Sequence, residues 1–178
     1  MHPDELHVLV IGSGTALPSR DRASPCLVIR FQNRITLLDM GPGTLRQLQR
    51  GGIPIQALDH LLLTHFHPDH SADLTAFLFA TRHPAILRGR RPFRLVGPKG
   101  LRDLVRGLEQ AYGRWIQLPN HTMELEEWPA DPGLIHRLGK LQVRAESVRH
   151  TAACLAYRFE TPGGAALAKI VDQQVGQR

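Results

Sequence analysis

Cysteine is scarce: Cys26 and Cys154 are the two in 178 residues. Two thiols make a poor disulfide framework for this length, so they read as buried thiols in a reducing, cytoplasmic compartment. Long apolar runs are missing too. The longest, such as Leu61-Leu62-Leu63 and Ala76-Phe77-Leu78-Phe79-Ala80, fall far short of the ~20 residues that cross a bilayer. The opening Met1-His2-Pro3-Asp4-Glu5 is acidic and lacks the basic stretch and apolar run of a signal peptide. There is no internal repeat, low-complexity tract or long linker. A chain that is 42% hydrophobic and 21% charged suits a single domain over residues 1–178 with a sizeable core. Acidic excess is absent: the net charge is +6 and the pI about 10.1. That balance is compatible with an anionic substrate and equally with a solvated Arg-rich face. A complete dinucleotide fingerprint is also absent. Gly12-Ser13-Gly14-Thr15-Ala16-Leu17 follows an apolar stretch, but the third glycine is missing, and Pro18 and Pro25 stand where a helix should begin.

The remaining pattern is mixed. Leu6–Ile11 reads as a buried strand, and Cys26–Phe31 and Ile35–Asp39 as a hairpin joined at Gln32-Asn33-Arg34. Thr44–Arg50 reads as a short helix stopped by Gly51-Gly52, and Leu58–Thr64 as another apolar strand. Ser71 to His83 predicts a helix closed by Pro84, followed by a basic loop holding Arg88, Arg90, Arg91 and Arg94. Phe93–Val96 is a strand. Leu101, Leu104, Val105, Leu108, Ala111 and Tyr112 then recur at helical spacing. Strands are expected at Thr122–Trp128, Leu134–Leu138, Leu141–Val148, Cys154–Glu160 and Ala165–Val171. A β-meander, then helices, then more β favours a layered α/β (α+β) domain over a doubly wound parallel sheet.

Histidine is abundant, with ten in all and four between His60 and His70. The segment Thr64-His65-Phe66-His67-Pro68-Asp69-His70 follows an apolar strand and precedes a helix, so its side chains sit at a strand end. Imidazoles and a carboxylate at this density match the ligand set that zinc prefers. His65 and His67, two apart in extended chain, can point the same way and bind one metal. Asp69 and His70 are adjacent and must diverge, which suits a second ion ~3.5–4 Å from the first.

These residues resemble the His-x-His-x-Asp-His signature of the metallo-β-lactamase superfamily, and the chain is most similar to its ribonuclease Z branch. Gly12-Ser13-Gly14-Thr15-Ala16-Leu17-Pro18, Arg22-Ala23-Ser24, Leu38-Asp39-Met40-Gly41-Pro42-Gly43-Thr44 with Arg46-Gln47-Leu48, and Val96-Gly97-Pro98-Lys99-Gly100 add to the likeness. The resemblance implies an αββα sandwich with a dinuclear zinc cleft at one edge. It makes His150 the third histidine of the first metal, and Asp39 either a carboxylate orienting a ligand imidazole or a plain turn residue. His60, His83, His121 and His136 match no motif position and read as surface or packing residues.

The likeness breaks near the C-terminus. The family's Ser-Gly-Asp-Thr, whose Asp bridges the metals, falls on Ile170-Val171-Asp172-Gln173, which lacks the Gly and the Thr. Asp172 is the candidate bridge, and no later histidine follows it. The chain thus looks like a C-terminally shortened or frame-altered member with the second half of the sandwich incomplete. A homodimer could supply the missing histidine. Two zinc ions are expected from the family, and one in this chain. The tRNA-gripping arm of ribonuclease Z has no room between Thr151 and Val171. The first reading is therefore a zinc hydrolase of an anionic ester, in the first instance a phosphodiester, with nucleic acid as one expected source. His65, His67 and His150 would bind the first ion; Asp69, His70 and Asp172 the second. Asp69 would be the catalytic carboxylate. The second reading is a metal-binding relative without turnover. A third, a thioester or β-lactam hydrolase, fits the Arg46-Gln47-Leu48 and Gly97-Pro98-Lys99-Gly100 segments less well.

Overall fold

The computed structural model describes residues 5–170. The chain opens with the antiparallel strands β1 (Leu6–Gly12), β2 (Cys26–Phe31) and β3 (Arg34–Leu38). The turn between β2 and β3 puts Gln32 at φ 53. From β3 onward the pairing becomes parallel, through β4 (His60–Leu62), β5 (Phe93–Gly97) and β6 (Met123–Glu127). Parallel neighbours require crossovers, and these are the helices. They comprise α1 (Thr44–Arg50), then α2 (Pro68–Ser71), α3 (Asp73–Thr81) and α4 (Pro84–Leu87), then α5 (Leu101–Tyr112). The strands run in spatial order β1 to β6. A second, antiparallel sheet follows, with β7 (His136–Leu138), β8 (Leu141–Ser147), β9 (Leu155–Glu160) and β10 (Ala166–Lys169) in order β10-β9-β8-β7.

Strand alternation sorts the core into two clusters. Leu61 and Leu63 join Leu48, Leu74, Phe77, Leu101 and Val105 on the helix side. Leu62, between them in sequence, joins Ile29, Leu38 and Val96 against Val143, Tyr157 and Phe159 of the second sheet. The layering is thus helix, sheet, sheet. The mixed α/β architecture expected from the order of elements is present, and among the described residues no helix follows the second sheet.

Three local expectations need correction. β1 is not a buried strand, for Val8 is 39% and Val10 65% exposed. It is an edge strand whose Leu9 and Ile11 pack on the helix side, while the alternate face beyond Leu6 is only partly covered. The helix expected over Ser71 to His83 is α3 (Asp73–Thr81), flanked by two one-turn helices. Pro68 starts one early, at the first-turn position that needs no N–H, and Pro84 starts another, with His83 Nδ1 accepting from the Ala85 N–H. The basic loop is only partly free in solvent: Arg88 and Arg91 are exposed, whereas Arg90 and Arg94 are half-buried. Arg90 lies over Phe77 and Phe93 and donates to the carbonyls of Ile55 and Leu58. Arg91 pairs with the buried Asp59, and Arg94 binds Glu126 in a two-pronged pair.

Candidate metal centre

The histidine segment leaves β4 at the carboxyl edge of the parallel strands, where open α/β sheets place their ligand crevices. Asp39 leaves the neighbouring β3 at the same edge and adopts φ 63. That left-handed turn is held by Asp39 N–H donating to Leu62 O at 2.8 Å and Met40 N–H donating to His70 O at 2.7 Å. Gly41 follows in very close quarters. A Cβ there would lie 1.8 Å from the backbone oxygen of Asp69 and 2.5 Å from Ser24 Cβ. The Asp-Met-Gly stretch is therefore the one way for β3 to press its carboxylate under the Asp69-His70 backbone without collision.

Asp39 is fully buried, and its two oxygens divide the site between them. Oδ1 accepts from Thr64 N–H and from Thr64 Oγ1, both at 2.8 Å. Oδ2 accepts from His70 Nδ1 at 2.9 Å. The Thr64 hydroxyl has one proton and gives it to Asp39, so at 3.0 Å from His65 Nδ1 it can only accept. Both imidazoles thus carry their proton on Nδ1 and keep a lone pair on Nε2. One carboxylate fixes two tautomers, directly for His70 and through Thr64 for His65.

The Nε2 of His65 is buried with no hydrogen-bond partner. Burial, with the neighbouring imidazoles of His70, His67 and His150, pushes the His65 pKa down to about 4. At neutral pH this is an uncharged ring with its lone pair aimed at nothing but other imidazoles. The rings of His67 and His150 stand edge-on to it at 4.7 Å between centroids. One ligand atom from each of the three lies within 4.8 Å of the others. Three imidazole nitrogens converging on one point, one of them orphaned, fit a metal cation.

His150 arrives from the far side of the molecule, on the loop between β8 and β9. That loop is fastened to the first sheet by Leu155 N–H donating to Thr64 O at 2.9 Å. Tyr157 Oη donates to Leu63 O, also at 2.9 Å. Asp69 is half-buried, with Oδ2 3.6 Å from His70 Nε2. Asp172 lies outside the described residues. Sequence reasoning passed over Thr64, whose place directly before His65 was the available signal, and Lys169, which had none. Lys169 Nζ stands 3.8 Å from Asp39 Oδ2.

Beside the histidines runs a cleft of about 470 Å³, with Asp69 and Pro68 on its rim and Arg20, Arg22, Arg46 and Arg50 among its walls.

The family model described as the metallo-β-lactamase superfamily matches residues 19–157. Ribonuclease Z of Clostridium kluyveri is 32% identical over 155 residues, covering 87% of this chain and 49% of that protein. Ribonuclease Z of Methanopyrus kandleri is 33% identical over 159 residues, covering 89% and 51%. The chain therefore spans about half the length of the curated relatives it matches. The metallo-β-lactamase fold protein YhfI of Bacillus subtilis superposes with TM-score 0.78 at 22% identity, covering 95% of this chain and 64% of that one. The short form of human tRNase Z gives 0.73 at 23% identity, covering 93% and 68%. At those identities the superpositions speak for the fold.

Proposed function

The chain belongs to the metallo-β-lactamase superfamily, and on that premise we propose that it is a zinc-dependent hydrolase of phosphodiester bonds. The observation that carries the metal reading is the orphaned, uncharged Nε2 of His65 among the imidazoles of His67 and His150. Zinc held by three imidazoles supplies Lewis acidity and lowers the pKa of a water molecule to about 7.

The chain's own groups supply the rest. Asp39 and Thr64 hold His65 and His70 in the tautomer that presents Nε2. Asp69, half-buried beside His70 Nε2, takes a proton from the attacking water. The water oxygen bonds to phosphorus as the bond to the leaving oxygen breaks, and that oxygen takes the proton held by Asp69 and leaves as an alcohol. The arginines of the adjoining cleft favour an anionic ester and suit the phosphate groups flanking the one that reacts. Ribonuclease Z relatives make RNA a reasonable source of such phosphates. With no arm between Thr151 and Val171, substrate selection does not depend on a tRNA fold.

The test is elemental analysis joined to activity on a small nitrophenyl diester. Zinc bound by the chain, and absent from His65→Ala/His67→Ala, is the expected result. Arg22→Ala with Arg46→Ala should raise KM about tenfold while leaving kcat nearly unchanged, as for lost uniform binding. A tRNA precursor cleaved far faster than the small diester would overturn the substrate reading. A second reading is metal binding without turnover. It is favoured by the described donors of a second ion, which come down to Asp69 and His70.

A further inference from the structure

Asp39 faces one cation that the metal reading does not use. Lys169 closes β10, on the same face as Leu167, which packs against the core between the sheets. Its side chain is 19% exposed, and Nζ stands 3.8 Å from Asp39 Oδ2, the oxygen that also holds His70 Nδ1. Among the described residues no arginine and no other lysine comes within 4.0 Å of that carboxylate. A carboxylate with no solvent exposure calls for compensating charge, and Lys169 is the one lysine or arginine that the described residues place beside it. Among the described residues this half of the site also holds Asp69 and the Nε2 of His70, the donors offered to a second ion.

We propose that the Lys169 ammonium is the resident cation of this half of the site. It neutralises Asp39 in the metal-free protein and restricts the chain to one tightly held metal ion. The inference rests on the reading that His65, His67 and His150 hold the first ion. The physical argument is competition between cations. A second divalent ion at Asp69 and His70 would come close to an ammonium that already sits on the carboxylate behind His70. A single unit charge a few ångströms away, at an effective dielectric of about 20, is enough to weaken binding by about tenfold or more. The first ion, which would be held by His65, His67 and, from the β8–β9 loop, His150, would be less affected because none of these side chains contacts Asp39 directly.

The experiment compares the full chain with Lys169→Met and Lys169→Arg. Zinc affinities and stoichiometries are measured by chelator competition, and the metal-free proteins are melted. The chain should bind one tight zinc. Lys169→Met should leave that affinity unchanged and tighten the second ion about tenfold, while Lys169→Arg behaves like the parent. Metal-free Lys169→Met should melt about 4 °C or more below the parent, because Asp39 is left uncompensated. If Lys169→Met fails to fold, the double variant Asp39→Asn/Lys169→Met removes both charges. It should then fold, with the first ion held more weakly because Asp39 also sets the ligand tautomers, and failure to recover folding overturns the pairing. Two equally tight zincs in the parent, or a second ion and a metal-free melt indifferent to residue 169, overturn the inference. No zinc in any of the proteins overturns the metal reading itself, a result distinct from a first ion that binds while the second ignores Lys169.

Discussion

Replacing Asp39 with asparagine exchanges one heavy atom, oxygen for nitrogen, and tests most of the site. The amide oxygen can still accept from Thr64 N–H and Oγ1, now 2.8 Å from Asp39 Oδ1. The amide nitrogen then faces His70 Nδ1, which the carboxylate holds at 2.9 Å. Two N–H groups cannot share that contact. His70 must move its proton to Nε2, so that Nδ1 accepts, and the nitrogen offered to a metal is lost. Lys169, 3.8 Å from the same oxygen, is left beside a neutral donor. Hydrogen bonds to charged groups contribute about 1.5–3 kcal/mol each, and one such bond with one partly buried ion pair disappears. Metal-free Asp39→Asn should therefore be less stable by about 2–4 kcal/mol in urea denaturation, with an unchanged m-value. Outer partners of ligand imidazoles typically contribute 10–100-fold in metal affinity. Zinc binding should fall within that range, through the lost Nε2 of His70 and through His65, whose tautomer Thr64 holds less firmly once its own acceptor is a neutral amide oxygen. A variant with stability within about 0.5 kcal/mol of the parent and unaltered zinc affinity would show that Asp39 is only a turn residue and refute the tautomer argument.

Metal-free protein should lose stability in acid through two histidines. Burial pushes both His60, bonded to Thr36 Oγ1, and His65 from 6.5 down to about 4. A folded pKa below the unfolded one means the folded form resists protonation. The stabilisation is complete above pH 6.5 and is lost as pH falls toward 4, by up to a few kcal/mol in all. Urea midpoints from pH 7 to pH 4 check this, and His60→Leu should make the slope shallower; a flat profile in the parent would contradict it. Gly41→Ala should destabilise the chain by about 3 kcal/mol or more and weaken zinc binding, because its Cβ would meet the Asp69 backbone oxygen at 1.8 Å. Melting temperature and chelator competition report both effects, and a variant that melts like the parent would mean the two backbones can separate freely.

Where local chemistry dictates the outcome, the sequence was readable. Ligand density at His65, His67, Asp69 and His70, the amphipathic spacing from Leu101 to Tyr112 and the apolar strands at Cys26–Phe31 and Leu141–Ser147 are local features. Segment boundaries and faces were less readable, because they depend on neighbours. Ser71 to His83 broke into pieces around Pro68 and Pro84, and the apolar β1 proved half-exposed because it occupies a sheet edge. Arg88 to Arg94 looked like a single basic surface, yet its members are divided among an aromatic pocket, Asp59 and Glu126.

The donors of the candidate centre follow a similar division. A run of imidazoles and a carboxylate specifies metal chemistry by itself, because ligand type and spacing are properties of the chain. Tertiary structure decided which nitrogen of His65 and of His70 is free. It brought the carboxylate of Asp39 from β3 under Thr64 and His70 from the β4 loop, 25 and 31 residues onward. Packing of the second sheet on the first carried His150 to within ligand reach of His65 and His67. It also set an ammonium from β10 beside Asp39. Proton positions, burial and charge compensation are properties of groups that meet across the fold, and no spacing along one chain encodes them.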